Sequence, residues 1–261
     1  MTEKFKFRFP IKKITTVLTV TTLVLVILSA LGSYYFNYLG YQNSFSAFYV
    51  KLFDLNTEGN LPTLFSTLLL MSASVLLFLI FVKRRISADK DRLYWLFLSG
   101  VFIFLALDES LQIHEKVTNM INLIGNEGEV KAITERPGFL RYVWVVPYVG
   151  LVVVLFFVLY RFLWRLPSFT RNLFLLSGGI FVAGAVGLEF LEGYYDSTLG
   201  SNFYTVVLYT IEEGMEMGGV VLFIYALLKF LAGNTETGRI NVKINFKNYE
   251  SVSDLSVKCN K

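Results

Sequence analysis

The sequence predicts an all-α integral membrane bundle of six transmembrane helices with both termini cytoplasmic. Three observations carry that expectation. The chain of 261 residues is 54% hydrophobic and 16% aromatic, against about 45 to 50% apolar usage in a soluble domain. Its mean hydropathy is +0.55. Six apolar stretches approach or exceed the roughly 20 residues that a helix needs to cross a hydrocarbon core, and the basic residues fall almost entirely on one side of them.

The stretches run Ile14 to Phe36, Pro62 to Val82, Leu93 to about Gln112, Val143 to Tyr160, Asn172 to about Glu192, and Tyr204 to Leu228. The N-terminal "KFKFRFPIKK", the loop "KRRISADKDR", Arg161, Arg165, Arg171 and the segment from Lys229 onward hold all Lys and Arg except Lys51, Lys116, Lys131, Arg136 and Arg141. Lys and Arg are retained on the cytoplasmic side of short loops, which sets the orientation. The acids run the other way: Glu3, Asp89, Asp91, Glu236, Glu250 and Asp254 alone share the basic side. Basic residues so placed serve topology and anionic headgroups and imply no nucleic-acid partner. The chain is expected in a bacterial-type inner or plasma membrane, with the lipid bilayer as its partner.

The first stretch follows a basic segment, as a signal peptide would, but its apolar run exceeds the usual h-region and reads as a span. In the first outer loop, Phe45, Phe48, Tyr49 and Leu52 recur at helical spacing, predicting a short amphipathic interfacial helix. Asn60 is placed to cap the second span, with Pro62 in its first turn. The second outer loop, Lys116 to Tyr142, is long enough to act as a lid. Residues 1–232 form the transmembrane domain, and 233–261 a polar, weakly ordered cytoplasmic tail in which "RINVKINF" alternates like a strand. The single cysteine, Cys259, lies in that tail and leaves no thiol metal site. The halves show no matching repeat, which weighs against an inverted-repeat transporter.

The chemistry gathers at the outer ends. "LALDESLQIHEK" closes the third span with Asp108, Glu109, His114 and Glu115, and His114 is the only histidine. At 1.5 Å per residue from the cytoplasmic end, Asp108 lies about 24 Å up its helix and Glu189 about 27 Å up the fifth, with Glu192 just beyond. Glu212, Glu213 and Glu216 join the same layer from the sixth. Spacings of three, four or seven residues let Asp108, Gln112 and Glu115, then Glu189 and Glu192, then Glu212 and Glu216, each share a face. Gly214 and Gly218, with Gly179, Ala183 and Gly187, are expected to pack helices on the opposite faces.

An acid in the membrane costs about 2.5 to 3.5 kcal/mol at mid-depth, and like charges repel further. The spans hold no Lys or Arg among these acids, so the carboxylates imply protonation, a water-filled cavity or a bound cation. The expected metal ligands are Asp108, Glu109, Glu189, Glu192, Glu212, Glu213 and Glu216, with His114 and Glu115 in catalytic roles. An oxygen-rich set with one imidazole suits Mn, Fe, Ca or Mg better than Zn.

The functional expectation is a metal-dependent membrane enzyme acting on a lipid-like small molecule that enters from the bilayer. A proton or divalent-cation transporter, and a non-catalytic subunit or sensor, are the alternatives. Helical bundles build di-metal sites with Glu-x-x-His pairs, and none occurs here. One histidine also excludes the seven-helix zinc hydrolases of membranes. Nucleophile elbows, phosphate-binding glycine loops and CxxC pairs are absent.

Overall fold

The computed structural model describes residues 5–7, 10–40, 43–57, 59–114, 116, 138, 142, 144–200, 203–233 and 242–244. Helix α1 is Ile11–Gly32 and continues as a π-helical segment, Ser33–Tyr38. A short α2, Ser44–Phe53, precedes α3, Leu61–Ile86, and α4, Arg92–Leu111. Then come α5, Val145–Arg165, and α6, Ser168–Val182, which passes through a second π segment, Ala183–Leu188, into α7, Glu189–Leu199. The last helix, α8, is Phe203–Ala232. Six helices are long and apolar enough to span a membrane, α6 and α7 counting as one with the π segment between them.

Local chemistry explains the helix starts. The Asn60 side chain accepts from the Thr63 amide at 3.1 Å, with Pro62 in the first turn of α3 as expected. Asn43 and Ser46 form a reciprocal capping box on α2, each side chain accepting from the other's amide at 2.8 Å. Tyr49 then ties α2 to α1: its hydroxyl donates to the Leu28 carbonyl at 2.9 Å, and its ring lies where a Cβ on Gly32 would stand. At the opposite end of the bundle Arg84 bonds Asp89 at 2.7 Å, and the Arg165 Nε bonds Asp91 at 3.0 Å. Asp89 sits below the usual carboxylate range, chiefly because it accepts from the Asp91 amide, with Arg84 adding to the effect.

Helix α8 is the central post. Of its most apolar window 56% is buried, against 11% for α5. Its C-terminal half packs into an aromatic core: Trp95 stacks on Phe230 at 4.7 Å and meets Phe162 edge-on at 5.1 Å, and Phe223 stacks on Phe102 at 4.7 Å. Ser74 and Ser99 exchange hydroxyl hydrogen bonds between α3 and α4 at 2.9 to 3.1 Å, so neither buries an unpaired polar atom.

Two glycines let α6 and its π segment touch α8. A Cβ on Gly219 would stand 3.0 Å from both the Phe181 amide nitrogen and the Ser177 carbonyl oxygen, and one on Gly184 would stand 3.0 Å from the Glu212 carbonyl oxygen. The sequence pointed to other glycines. Gly179, Gly187 and Gly218 face open space, and Gly214 meets only Val26. A π turn takes an extra residue, so a 3.6-residue count carried through Ala183–Leu188 favours Gly187 over Gly184; on the unbroken α8 the contact falls at Gly219, one residue past Gly218.

The alternating stretch near the C-terminus does form a strand. Val242–Ile244 (β2) pairs antiparallel with Phe5–Phe7 (β1).

Candidate functional site

The end of the bundle away from the basic loops contains a cavity of about 450 Å³. Asp108, Glu109 and His114 reach it from the end of α4, Glu189 and Glu192 from α7, and Glu212, Glu213 and Glu216 from α8. Three helices distant in sequence thus bring every described candidate residue to one wall set. Glu115 lies outside the described residues, as does nearly all of the second outer loop.

One group is tight. Single oxygens of Glu189, Glu192 and Glu212 lie within 4.8 Å of one another. Glu212 is 6% exposed, it is hydrogen-bonded to Glu189, and its Oε2 is buried with no hydrogen-bond partner among the described residues. A buried carboxylate oxygen left unpaired costs about 1 to 3 kcal/mol or more. The π segment sets this geometry: it ends at Leu188, immediately before Glu189, and its Gly184 lets α8 approach closely enough for Glu212 to meet α7.

Asp108 is engaged differently. The αL conformation of Gln112, with φ 55° and ψ 46°, ends α4, so the continuous face expected for Asp108, Gln112 and Glu115 does not persist. The chain instead folds back over the helix end. The Asp108 Oδ1 accepts from the His114 amide at 2.8 Å and from the Tyr148 hydroxyl at 2.9 Å, while His114 Nδ1 stands 3.4 Å from Oδ2. Trp144 packs on the His114 ring at 4.8 Å and on Tyr148 at 5.2 Å. Asp108 therefore orients the imidazole, and Glu109, hydrogen-bonded to Ser66, faces the cavity beside it.

Sequence reasoning missed the tyrosines. Tyr142 donates to Glu192, Tyr148 to Asp108, and Tyr209 sits in the wall one turn before Glu212. The Tyr209 hydroxyl bonds the Ser33 hydroxyl at 3.0 Å and contacts Asp54 in the loop after α2. Burial pushes the Asp54 carboxyl above its ordinary value, opposed by hydrogen bonds from the Asn56 amide and Tyr209. The three-residue step from Tyr209 to Glu212 was a usable signal. Asp54 offered none, because its partner comes from the far end of the chain.

A family model described as a domain of unknown function, DUF8692, matches residues 17–230. The chain belongs to that family. The DUF8692 match takes in the cavity and all of its described acids, together with most of every span. No curated protein and no solved structure matches the chain.

Proposed function

We propose that the protein is a metal-dependent membrane enzyme whose outer-facing cavity holds a divalent cation and acts on a lipid-like small molecule. The observation that carries this reading is the triad of Glu189, Glu192 and Glu212 oxygens within 4.8 Å of one another, with the Glu212 Oε2 buried beside them and without a partner among the described residues. A cation there would supply the missing partner and remove the like-charge repulsion. The donor set is all oxygen, which suits Mg, Ca, Mn or Fe. Glu109, Glu213 and Glu216 supply further ligands or hold water around the ion.

Held by these carboxylates, a divalent cation would supply Lewis-acid chemistry to a substrate oxygen or to water. His114, oriented by Asp108, takes the proton, with Glu115 next to it in sequence. Basic residues retained at the other end of the bundle put the cavity on the extracytoplasmic side and both termini in the cytoplasm. Helix α2, carrying exposed Phe45 and Phe48, lies in the outer interface of the bilayer. Nucleic acid has no part in this account.

A second reading rests on the hydrogen bond between Glu189 and Glu212. Two carboxyl groups in such contact need a proton or a cation between them, and a protonated pair would make the cavity a proton-handling site. Electron paramagnetic resonance of Mn²⁺ titrated into the detergent-purified chain separates the two. Binding that disappears in Glu189→Gln with Glu212→Gln supports the cation site. Absence of binding in the unaltered chain overturns it and directs the test to proton flux in liposomes.

A further inference from the structure

Helix α5 is buried only at its ends, at Val145 on one side and at Phe162 and Leu163 on the other. Between those anchors it stands away from α6, leaving a crevice of about 410 Å³ whose other walls come from α4, α6 and α8. Val152, Phe156, Leu175 and Phe223 line it, and its one hydroxyl, Ser177, already donates to the Phe174 carbonyl at 3.1 Å. Gly178 and Gly179 are exposed into it with nothing within 4 Å of where a Cβ would be. Its floor is fixed, because Gly219 holds α8 against the backbone at Ser177 and Phe181.

Depth and continuity identify the occupant. Phe181 lies about 20 Å along its span from Ser168 at 1.5 Å per residue, well inside a hydrocarbon core about 30 Å thick. At that depth the medium is acyl chain, and a wall without a free polar group takes hydrocarbon. Phe181 also lines the carboxylate cavity, so the two spaces meet at this residue.

We infer that the crevice between α5 and α6 holds the hydrocarbon tail of a membrane lipid whose polar head lies in the carboxylate cavity, with Phe181 where the two meet. This rests on the reading of the cavity as the site of a lipid-like substrate. It adds where that substrate enters: sideways from the bilayer between α5 and α6, while the α6–α8 contact stays closed.

The probe is phosphatidylcholine with a diazirine in its acyl chain, presented to the full chain in phosphatidylcholine nanodiscs and mapped by peptide mass spectrometry after irradiation. Labelling is expected at Val152, Phe156 and Leu175 and is expected to be lost in Gly178→Leu, which fills the crevice through open space. Gly150→Leu, on α5 but outside the crevice, keeps the labelling. Phe181→Ala extends it to Ala185 in the cavity wall. Labelling equal to that of the exposed face of α1 at Val17 and Val24, and indifferent to Gly178→Leu, overturns the inference. Mn²⁺ binding by the same variants tests the cavity separately: Gly178→Leu keeps the cation while losing the label, and loss of cation binding in the unaltered chain with crevice labelling intact would sink the metal reading alone.

Discussion

The two halves of α8 share one helix and follow opposite rules. From Val220 to Leu231 eight of the twelve residues are buried and the rest half-buried, and no charge enters until Lys229. From Tyr209 to Glu216 the same helix turns three glutamates and a tyrosine toward a cavity shared with α4 and α7. The C-terminal half is organised by packing, where shape decides stability. The half at the cavity concentrates carboxyl groups and leaves a buried oxygen without a partner among the described residues, an arrangement that costs stability. Such a cost is expected at sites kept for chemistry.

The contrast can be broken most strongly from the C-terminal half. Trp95 is 1% exposed between Phe162, Phe174 and Phe230. Trp95→Ala is expected to lower unfolding stability by about 3 to 5 kcal/mol, measured by denaturant titration in detergent, with cation affinity per folded molecule unchanged. Next is Gly219→Ala. Its Cβ would press on backbone atoms of α6 at 3.0 Å, and backbone cannot swing away as a side chain can. A loss of about 1 to 3 kcal/mol is expected, and an unchanged melting temperature would contradict the close contact.

The half at the cavity should respond with the opposite sign. Glu212→Gln replaces a buried carboxyl crowded by Glu189 and Glu192 with an amide, so the cation-free variant is expected to melt at or above the temperature of the unaltered chain. The unaltered chain alone should then gain stability on adding Mn²⁺, by about 2.7 kcal/mol at one hundred times the dissociation constant. Equal gains in both proteins would remove Glu212 from the site.

The smallest effect is at Asp54, whose carboxyl burial holds above its ordinary value. The folded state there prefers the neutral acid. Its contribution is fully present below the unfolded value and is lost as pH rises through the folded one. Asp54→Asn is expected to flatten that stretch of the stability-against-pH curve, read by thermal melts across the acid range.

The same contrast shows how much the sequence disclosed. Composition alone predicted the spans, since helices in lipid must be apolar and continuous, and Asn60 with Pro62 marked a start that the structure keeps. The gathering of Asp108, Glu189 and Glu212 was legible because depth along a helix can be counted from a charged boundary. Faces were less legible. The π segment Ala183–Leu188 and the αL residue Gln112 both break the 3.6-residue count, and each break lies beside the cavity. The first put the close contact at Gly184 and the second turned the chain so that Asp108 meets His114, while on the unbroken α8 the contact falls at Gly219, one residue past Gly218. Partners such as Tyr148 for Asp108 or Asp54 for Tyr209 depend on tertiary contact across most of the chain, where spacing carries no information.

The central claim, that the cavity end of the bundle is built around a cation, is tested most directly by elemental mass spectrometry of the detergent-purified chain before and after chelation, beside Glu189→Gln with Glu212→Gln. The account predicts a stoichiometric divalent metal in the unaltered protein, removed by chelation and missing from the double variant. A folded, unaltered chain free of Mg, Ca, Mn and Fe, and unable to take any of them up, would contradict it.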